Sequence, residues 1–349
     1  MTASQLREIL KSNLLVIAGA GKDAPENSSD YVEAGAHILL APVCYNMDEE
    51  DEKTLKTLMQ AASDKAFVAG QIAAPCDSLA EVGGTLIYDA YYDEVMEQAA
   101  WLSDQGVSMI FLNGFFDACT AKCAAYAVRE ADMDMPICAG ISTTNIPAAL
   151  SILITLQSLN ICAFGCTDMD IDDALEVLSE LQAFTTVPFY ALTKGGMFLS
   201  PDMYGVYIAS FVNQKCALFG IEKKSPAYVA EASKATWQLS PLAPDFPMVH
   251  AICSQNEIMF LDFQGKIVSQ NKQLIEIKTE NDDELLQALE LFNRPGAAPV
   301  CFNIKDIDLL EYAISHYAGR PAVRSDEYGE ITAKEFGAYV IKEPNASEE

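Results

Sequence analysis

Ten cysteines and three histidines are the residues of this 349-residue chain best suited to hold a metal or to act as nucleophiles. A thiolate binds soft metals and attacks electrophiles, and an imidazole changes charge near neutral pH. No Cys-x-x-Cys occurs, and the two Cys-x-x-x-Cys spacings are Cys119/Cys123 and Cys162/Cys166. Cys119 and Cys123 fall in a helical run, where positions four apart share one face, so packing accounts for them. His37 opens a strand-like run, and His250 and His316 lie beyond residue 240, which argues against histidine-based acid–base or metal chemistry. Ala18-Gly-Ala-Gly-Lys22 is a glycine cluster without the G-x-G-x-x-G spacing of a dinucleotide loop, and it reads as a turn.

The charge balance narrows the function further. Lys+Arg 22 against Asp+Glu 50 gives −28, which repels phosphate backbones and anionic lipid. Nucleic-acid binding and a membrane role are therefore not expected. Apolar stretches such as Ile137–Ile141 and Ser151–Leu156 fall far short of the roughly 20 residues that a membrane span needs. The first residues include Glu8 and no apolar signal core, so the chain reads as cytoplasmic and its thiols as reduced.

The elements that must position any site alternate regularly up to about residue 240. Strand-like runs are Leu14–Ala18, Ala36–Ala41, Ala66–Ile72, Val107–Leu112, Pro136–Ile141, Asn160–Gly165, Val187–Thr193 and Lys215–Gly220. Each is short, mostly apolar and without strict alternation, as in parallel strands buried on both faces. The clearest helices are Tyr88–Asp104, Asp117–Ala131, Asp170–Ala183, Pro201–Asn213 and Ser225–Trp237, with Asp117, Asp170 and Ser225-Pro226 as N-terminal signals. Eight such units predict an α/β fold of the (β/α)8 barrel type, with a doubly wound sheet as the runner-up. Barrel chemistry sits at the C-terminal strand ends. Those ends carry glycines and small residues, together with Gln71, Asn113, Cys166, Lys194 and Glu222, but no convergent set of acids and bases.

Several of these segments carry a resemblance. Tyr31-Val-Glu-Ala-Gly-Ala-His-Ile-Leu39, Phe67-Val-Ala-Gly70, Tyr88-Asp-Ala-Tyr91, Asp117-Ala-Cys-Thr-Ala-Lys122, Pro136-Ile-Cys-Ala-Gly-Ile-Ser142, Gly165-Cys166 and Ser225-Pro226 occur in order along the eight units. Together they resemble the homocysteine S-methyltransferase family, whose barrel is the N-terminal module of cobalamin-dependent methionine synthase. The resemblance implies a zinc held by three cysteines, one after strand six and an adjacent pair after strand eight. Such a zinc would keep the homocysteine sulfur a thiolate. Cys166 matches the first ligand, whereas the pair falls on Ile221 and Glu222. Isoleucine cannot ligate, and a carboxylate favours harder metals, so the zinc site reads as degenerate and no metal is expected. Cys216 and Cys162 lie roughly 20 Å and 13 Å along their strands from Glu222 and Cys166, near the wrong barrel end. Cys44, just past strand two, is the only cysteine placed to rebuild a site with Cys166 and Glu222. The family's acidic residue near strand one falls on Ala18, its Glu-Thr-Asn-Thr-type stretch on Leu40–Val43, and its strand-four glutamate on Asn113. The candidate ligand contacts that remain are Gln71, Asn113 and Lys194.

The composition shifts after Ala243-Pro-Asp-Phe-Pro247, which divides the chain into a barrel over 1–244 and a second segment over 245–349. His250–Asp262 is similar to the linker of clostridial-type methionine synthases. Lys272–Lys278, Pro299–Ile304, Leu310–Pro321 and Val323–Asp326 are similar to the opening half of their pterin-binding barrel. Lys266–Val268 lies too close to Lys272–Lys278 for the two to be parallel neighbours, so that barrel's first helix is missing. Three or four strands cannot close a pterin barrel, and no complete folate site is expected. Asn303, Arg324 and Asp326 read as surface or capping polarity, and Pro344–Glu349 as a solvated tail.

Two functions follow from this reading. One is a non-catalytic or diverged relative that binds a small ligand, or a corrinoid or methyltransferase partner. The other is an active S-methyltransferase acting on homocysteine or another small thiol through a rebuilt site.

Overall fold

The eight apolar runs close into a parallel barrel in sequential order. A computed structural model describes residues 1–19, 28–195, 199–222, 225–244, 250–261, 267–268 and 274–341, without the side chain of Glu222. The barrel strands are β1 (Leu15–Gly19), β2 (Ile38–Leu40), β3 (Phe67–Ala73), β4 (Met109–Phe115), β5 (Ile137–Ile141), β6 (Ala163–Asp170), β7 (Phe189–Lys194) and β8 (Cys216–Glu222). β8 pairs back onto β1 through Leu15 to Ala18 against Leu218 to Ile221. Helix α1 (Ala3–Ser12) precedes β1, and α2 (Ser28–Glu33), α3 (Glu49–Ala62), α4 (Tyr88–Asp104), α5 (Ala118–Ala131), α6 (Ile146–Gln157), α7 (Ile171–Leu181), α8 (Pro201–Asn213) and α9 (Pro226–Thr236) follow the strands in turn. The lack of alternation in the strand sequences has the expected cause, since both the lumen side and the helix side of the sheet are buried.

Two strands run further than the sequence suggests. β4 continues through Asn113 to Phe115 across a bulge, with Gly114 at φ 90°, and β6 continues to Asp170 past a bulge at Asp168, φ 59°. Both bulges lie at the C-terminal rim, where they re-aim side chains at the mouth. The capping signals are mixed. Asp117 accepts from the Thr120 N–H at 2.8 Å, whereas Asp170 and Ser225 stand at their caps without a side-chain bond.

Beyond the barrel, β9 (Ala251–Cys253) and β10 (Ile258–Phe260) form an antiparallel pair. A parallel sheet of β11 (Ile275–Ile277), β12 (Val300–Phe302), β13 (Ala322–Val323) and β14 (Tyr339–Val340) follows, with α10 (Asp282–Phe292), α11 (Ile307–His316) and α12 (Glu327–Glu335) between successive strands. The expectation of a missing first helix is corrected here. Ile267 bridges antiparallel to Leu261 and so belongs with the β9–β10 pair, while α10 supplies the crossover between β11 and β12. The expected turn at Ala20–Lys22 and the tail from Pro344 lie outside the described residues.

Strict alternation appears in this small sheet. Ile277, Val300, Phe302, Val323 and Val340 face Leu285, Leu289, Leu310 and Ile314 of the helices. Cys301, Ala322 and Tyr339 face Ile252, Met259 and Leu261 of the antiparallel pair. The sheet face that would line a second barrel is therefore filled from within the chain. No described helix is long and apolar enough to cross a membrane.

Candidate functional site

The mouth of the barrel is built from strand ends whose facing can be read from their contacts. A Cβ on Gly70 would strike Leu102 of α4, so Gly70 faces the helices and its neighbour Gln71 faces the lumen. Gln71 is paired with Phe111, which places Phe111 and Asn113 on the lumen side as well. From the opposite wall Tyr190 crosses the lumen and donates its hydroxyl to Asn113 Oδ1 at 2.7 Å. Its ring meets Phe111 edge-on at 5.3 Å between centroids. A Cβ on Gly140 would lie 2.2 Å from the Tyr190 hydroxyl, and one on Gly165 would lie 2.2 Å from the Tyr190 carbonyl oxygen. Glycine is required at both positions because the tyrosine takes the volume that a side chain would occupy. Tyr190 and Asn113 are both buried, yet Asn113 Nδ2 has no hydrogen-bond partner.

The cysteine positions do not assemble. Gly165 faces Tyr190, and Thr167 lies against the lumen-facing Gly140 position, so Cys166 between them points to the helix side of β6. It is fully buried, and burial alone pushes its thiol far above the usual range. Ile221 likewise follows the lumen-facing Gly220, is buried, and pairs with Ala18 and Thr193. Cys44 has different surroundings. Its thiol donates to the Pro42 carbonyl at 3.4 Å and is pushed up to about 12 by burial and by Asp51 and Asp48. Neither thiol is tuned toward a thiolate, the form a soft metal needs. Among the described residues no three His, Cys, Asp or Glu side chains gather closely enough to hold a metal. Cys166 thus packs on the outer face of β6, and the side chain of Glu222, the other expected remnant position, lies outside the described residues.

Lys194, the third candidate contact, ends β7 opposite Glu222 in register. Its ammonium lies 3.1 Å from Asp168 Oδ1, with both side chains more than half exposed, so the pair is worth little as stabilisation. The structure thus brings Gln71 and Asn113 to the lumen face of neighbouring strands, with Asn113 two residues nearer the mouth, and places Lys194 on the rim. In the C-terminal unit, Asn303 and Arg324 both bind Glu276, at 2.8 and 3.1 Å, and Asp326 caps α12 through the Gly329 N–H. This agrees with the structural reading of all three.

The residue that sequence reasoning missed is Tyr190. A single tyrosine in the apolar run Val187–Thr193, opposite glycines on two neighbouring strands, was the available signal. A second omission is a cleft of about 720 Å³ on the seam between barrel and C-terminal unit. It is lined by Arg7, Tyr88, Tyr92, Arg129, Glu311 and Phe336, among others. Its guanidiniums are engaged, since Arg7 and Arg129 both donate to the Asn160 carbonyl.

No family model and no curated protein matches the chain. Solved structures of the homocysteine methyltransferase MmuM from Escherichia coli are similar to it. The apo form gives a TM-score of 0.53 at 14% identity, covering 64% of this chain and 97% of that one. The metallated form gives 0.52 at 14% identity, covering 66% and 99%. At this identity the likeness is one of fold.

Proposed function

We propose that the chain is a diverged, methyltransferase-like barrel of the homocysteine S-methyltransferase type that has given up zinc-assisted thiol activation and binds a small ligand at its mouth. The observation that carries this reading is the placement of Cys166, sealed on the outer face of β6 with its thiol raised by burial. A free thiol of pKa near 8.5 is only a few per cent ionised at neutral pH, so methyl transfer to homocysteine needs a metal or a base to form the thiolate. The described mouth supplies donors: the unpartnered amide of Asn113, the amide of Gln71 deeper on the neighbouring strand, and the ammonium of Lys194 at the rim beside Asp168. These suit a ligand whose inner end is a carboxylate or carbonyl oxygen.

The C-terminal unit supports the same reading. Its sheet face is filled by β9 and β10, so a pterin has no lumen to enter there. A corrinoid protein or a methyltransferase remains the partner class that the resemblance implies, and the barrel would serve it as a binding module.

The test is metal content and turnover of protein grown with added zinc. The expected result is less than a tenth of an equivalent of zinc, unchanged by Cys166→Ala. No methionine should form from homocysteine and methyltetrahydrofolate, with or without a corrinoid protein. Stoichiometric zinc and turnover that both vanish in Cys166→Ala would overturn the proposal.

A further inference from the structure

Lys122 is the one charged side chain among the described residues that combines near-complete burial with a role between the two units. It sits on α5 of the barrel and is 1% exposed. Its ammonium donates to the carbonyls of Ile314 at 2.7 Å and Gly319 at 3.1 Å, and to that of Tyr317. These carbonyls belong to the last turn of α11 and the residues just after it, in the C-terminal unit. The groups that face the ammonium are thiols, Cys119 and Cys123 on its own helix and Cys253 on β9, together with His316 of α11. Carboxylates do not figure among them, so the compensation for its burial comes from carbonyl dipoles.

The last carbonyls of a helix have no partner within the helix and carry the negative end of its dipole. Helices commonly satisfy them with a following glycine or with a nearby basic side chain of their own. The backbone after α11 instead turns extended at Tyr317, φ −75° and ψ 136°. The cap is delivered from another unit, 192 residues away in sequence from Ile314. Secondary ties cross the same seam. Tyr126 of α5 donates to the Phe336 carbonyl at 2.7 Å, and Ser151 of α6 donates to the Ser254 carbonyl.

We propose that Lys122 is a clasp that fastens the C-terminal unit to the barrel, so that the unit cannot leave α5 without uncapping α11 and exposing a charge that is otherwise sealed. Undocking then releases three charge-assisted hydrogen bonds at once, each stronger than a neutral bond. The carbonyls left behind are uncapped, and a buried cation does not remain in an apolar seam without partners. Docking is thereby made cooperative, since the ammonium is satisfied only when α11 is fully seated.

The experiment uses the full chain and follows backbone hydrogen exchange by mass spectrometry. Lys122→Met keeps most of the stem volume and removes the charge. It is expected to speed exchange in 307–323 and 274–302 by at least about tenfold, the size of effect that losing one such bond alone produces. Exchange in β8 and β1, on the far side of the barrel, is expected to change by less than about twofold. Equal protection of 307–323 in wild type and variant would overturn the proposal. A second measurement on the wild-type protein covers a variant that fails to fold. Acylation of lysines by an amine-reactive ester is expected to modify Lys122 no faster than 307–323 opens. Modification of Lys122 at the rate of exposed Lys11 or Lys56 would overturn it equally.

Discussion

Tyr190→Ala is expected to cost the barrel about 4 kcal/mol of folding stability, the range for truncating a large buried aromatic. Tyr190 is fully buried, its ring edge rests on Phe111, and no side chain from β5 or β6 can fill the space because Gly140 and Gly165 lie beneath it. The loss is compounded at Asn113. Its Nδ2 already lacks a partner, and removing the phenol would orphan Oδ1 as well. Tyr190→Phe keeps the ring and is expected to cost about 1–2 kcal/mol, the share of the hydrogen bond. Gly140→Ala should cost several kcal/mol on its own and less in the Tyr190→Phe background, because the nearest atom to the new methyl is the phenol oxygen. Urea unfolding read by Trp101 and Trp237 would measure all four variants. A cost below about 1 kcal/mol for Tyr190→Ala would mean that the ring does not fill the lumen.

Acid is expected to weaken the seam through His316. This imidazole is stacked between Tyr88 and Tyr312, with centroids 4.0 and 3.8 Å away. Burial pushes it down to about 4 and the Lys122 ammonium adds to that, while the Tyr312 carbonyl and Asp89 act the other way. The folded value lies below the unfolded one of roughly 6.5, so the unfolded chain takes up the proton first. The stability linked to His316 is therefore fully present above about pH 6.5 and is lost as pH falls from there through 4. At about 1.4 kcal/mol per pKa unit the loss approaches roughly 3 kcal/mol. Many of the 50 acidic residues titrate in the lower part of this window, so the measurement is a difference. Wild type and His316→Phe, which keeps the stack, would be unfolded in urea at pH 7, 6 and 5. Wild-type stability should fall relative to that of the variant as pH falls. Parallel profiles would show that His316 does not carry the dependence.

Most of the fold was legible in the chain. The limits of α4 and α8 fall where the helical pattern puts them, and the eight barrel strands lie within a few residues of the apolar runs. The separate C-terminal layer was legible too, from the composition shift after Ala243 and the strand-like and helical segments that follow it. The antiparallel place of Ile267 was not, since the two apolar residues Ile267 and Val268 carry no sign of their partner's direction.

The sequence by itself determined the (β/α)8 order, the acidic surface and the chemical poverty of the strand ends. It also fixed that Ile221 cannot bind a metal, because no conformation makes isoleucine a donor. Only the tertiary structure decided which way each rim residue points. In a strand buried on both faces the two side-chain rows are equally apolar, so the pattern does not reveal whether Cys166 or its neighbours line the lumen, and a shift of one residue reverses the answer. The same holds for Lys122. Its partners are backbone carbonyls more than 190 positions away, and a carbonyl has the same chemistry at every residue, so nothing in the sequence marks it as the acceptor until the fold brings α11 to α5.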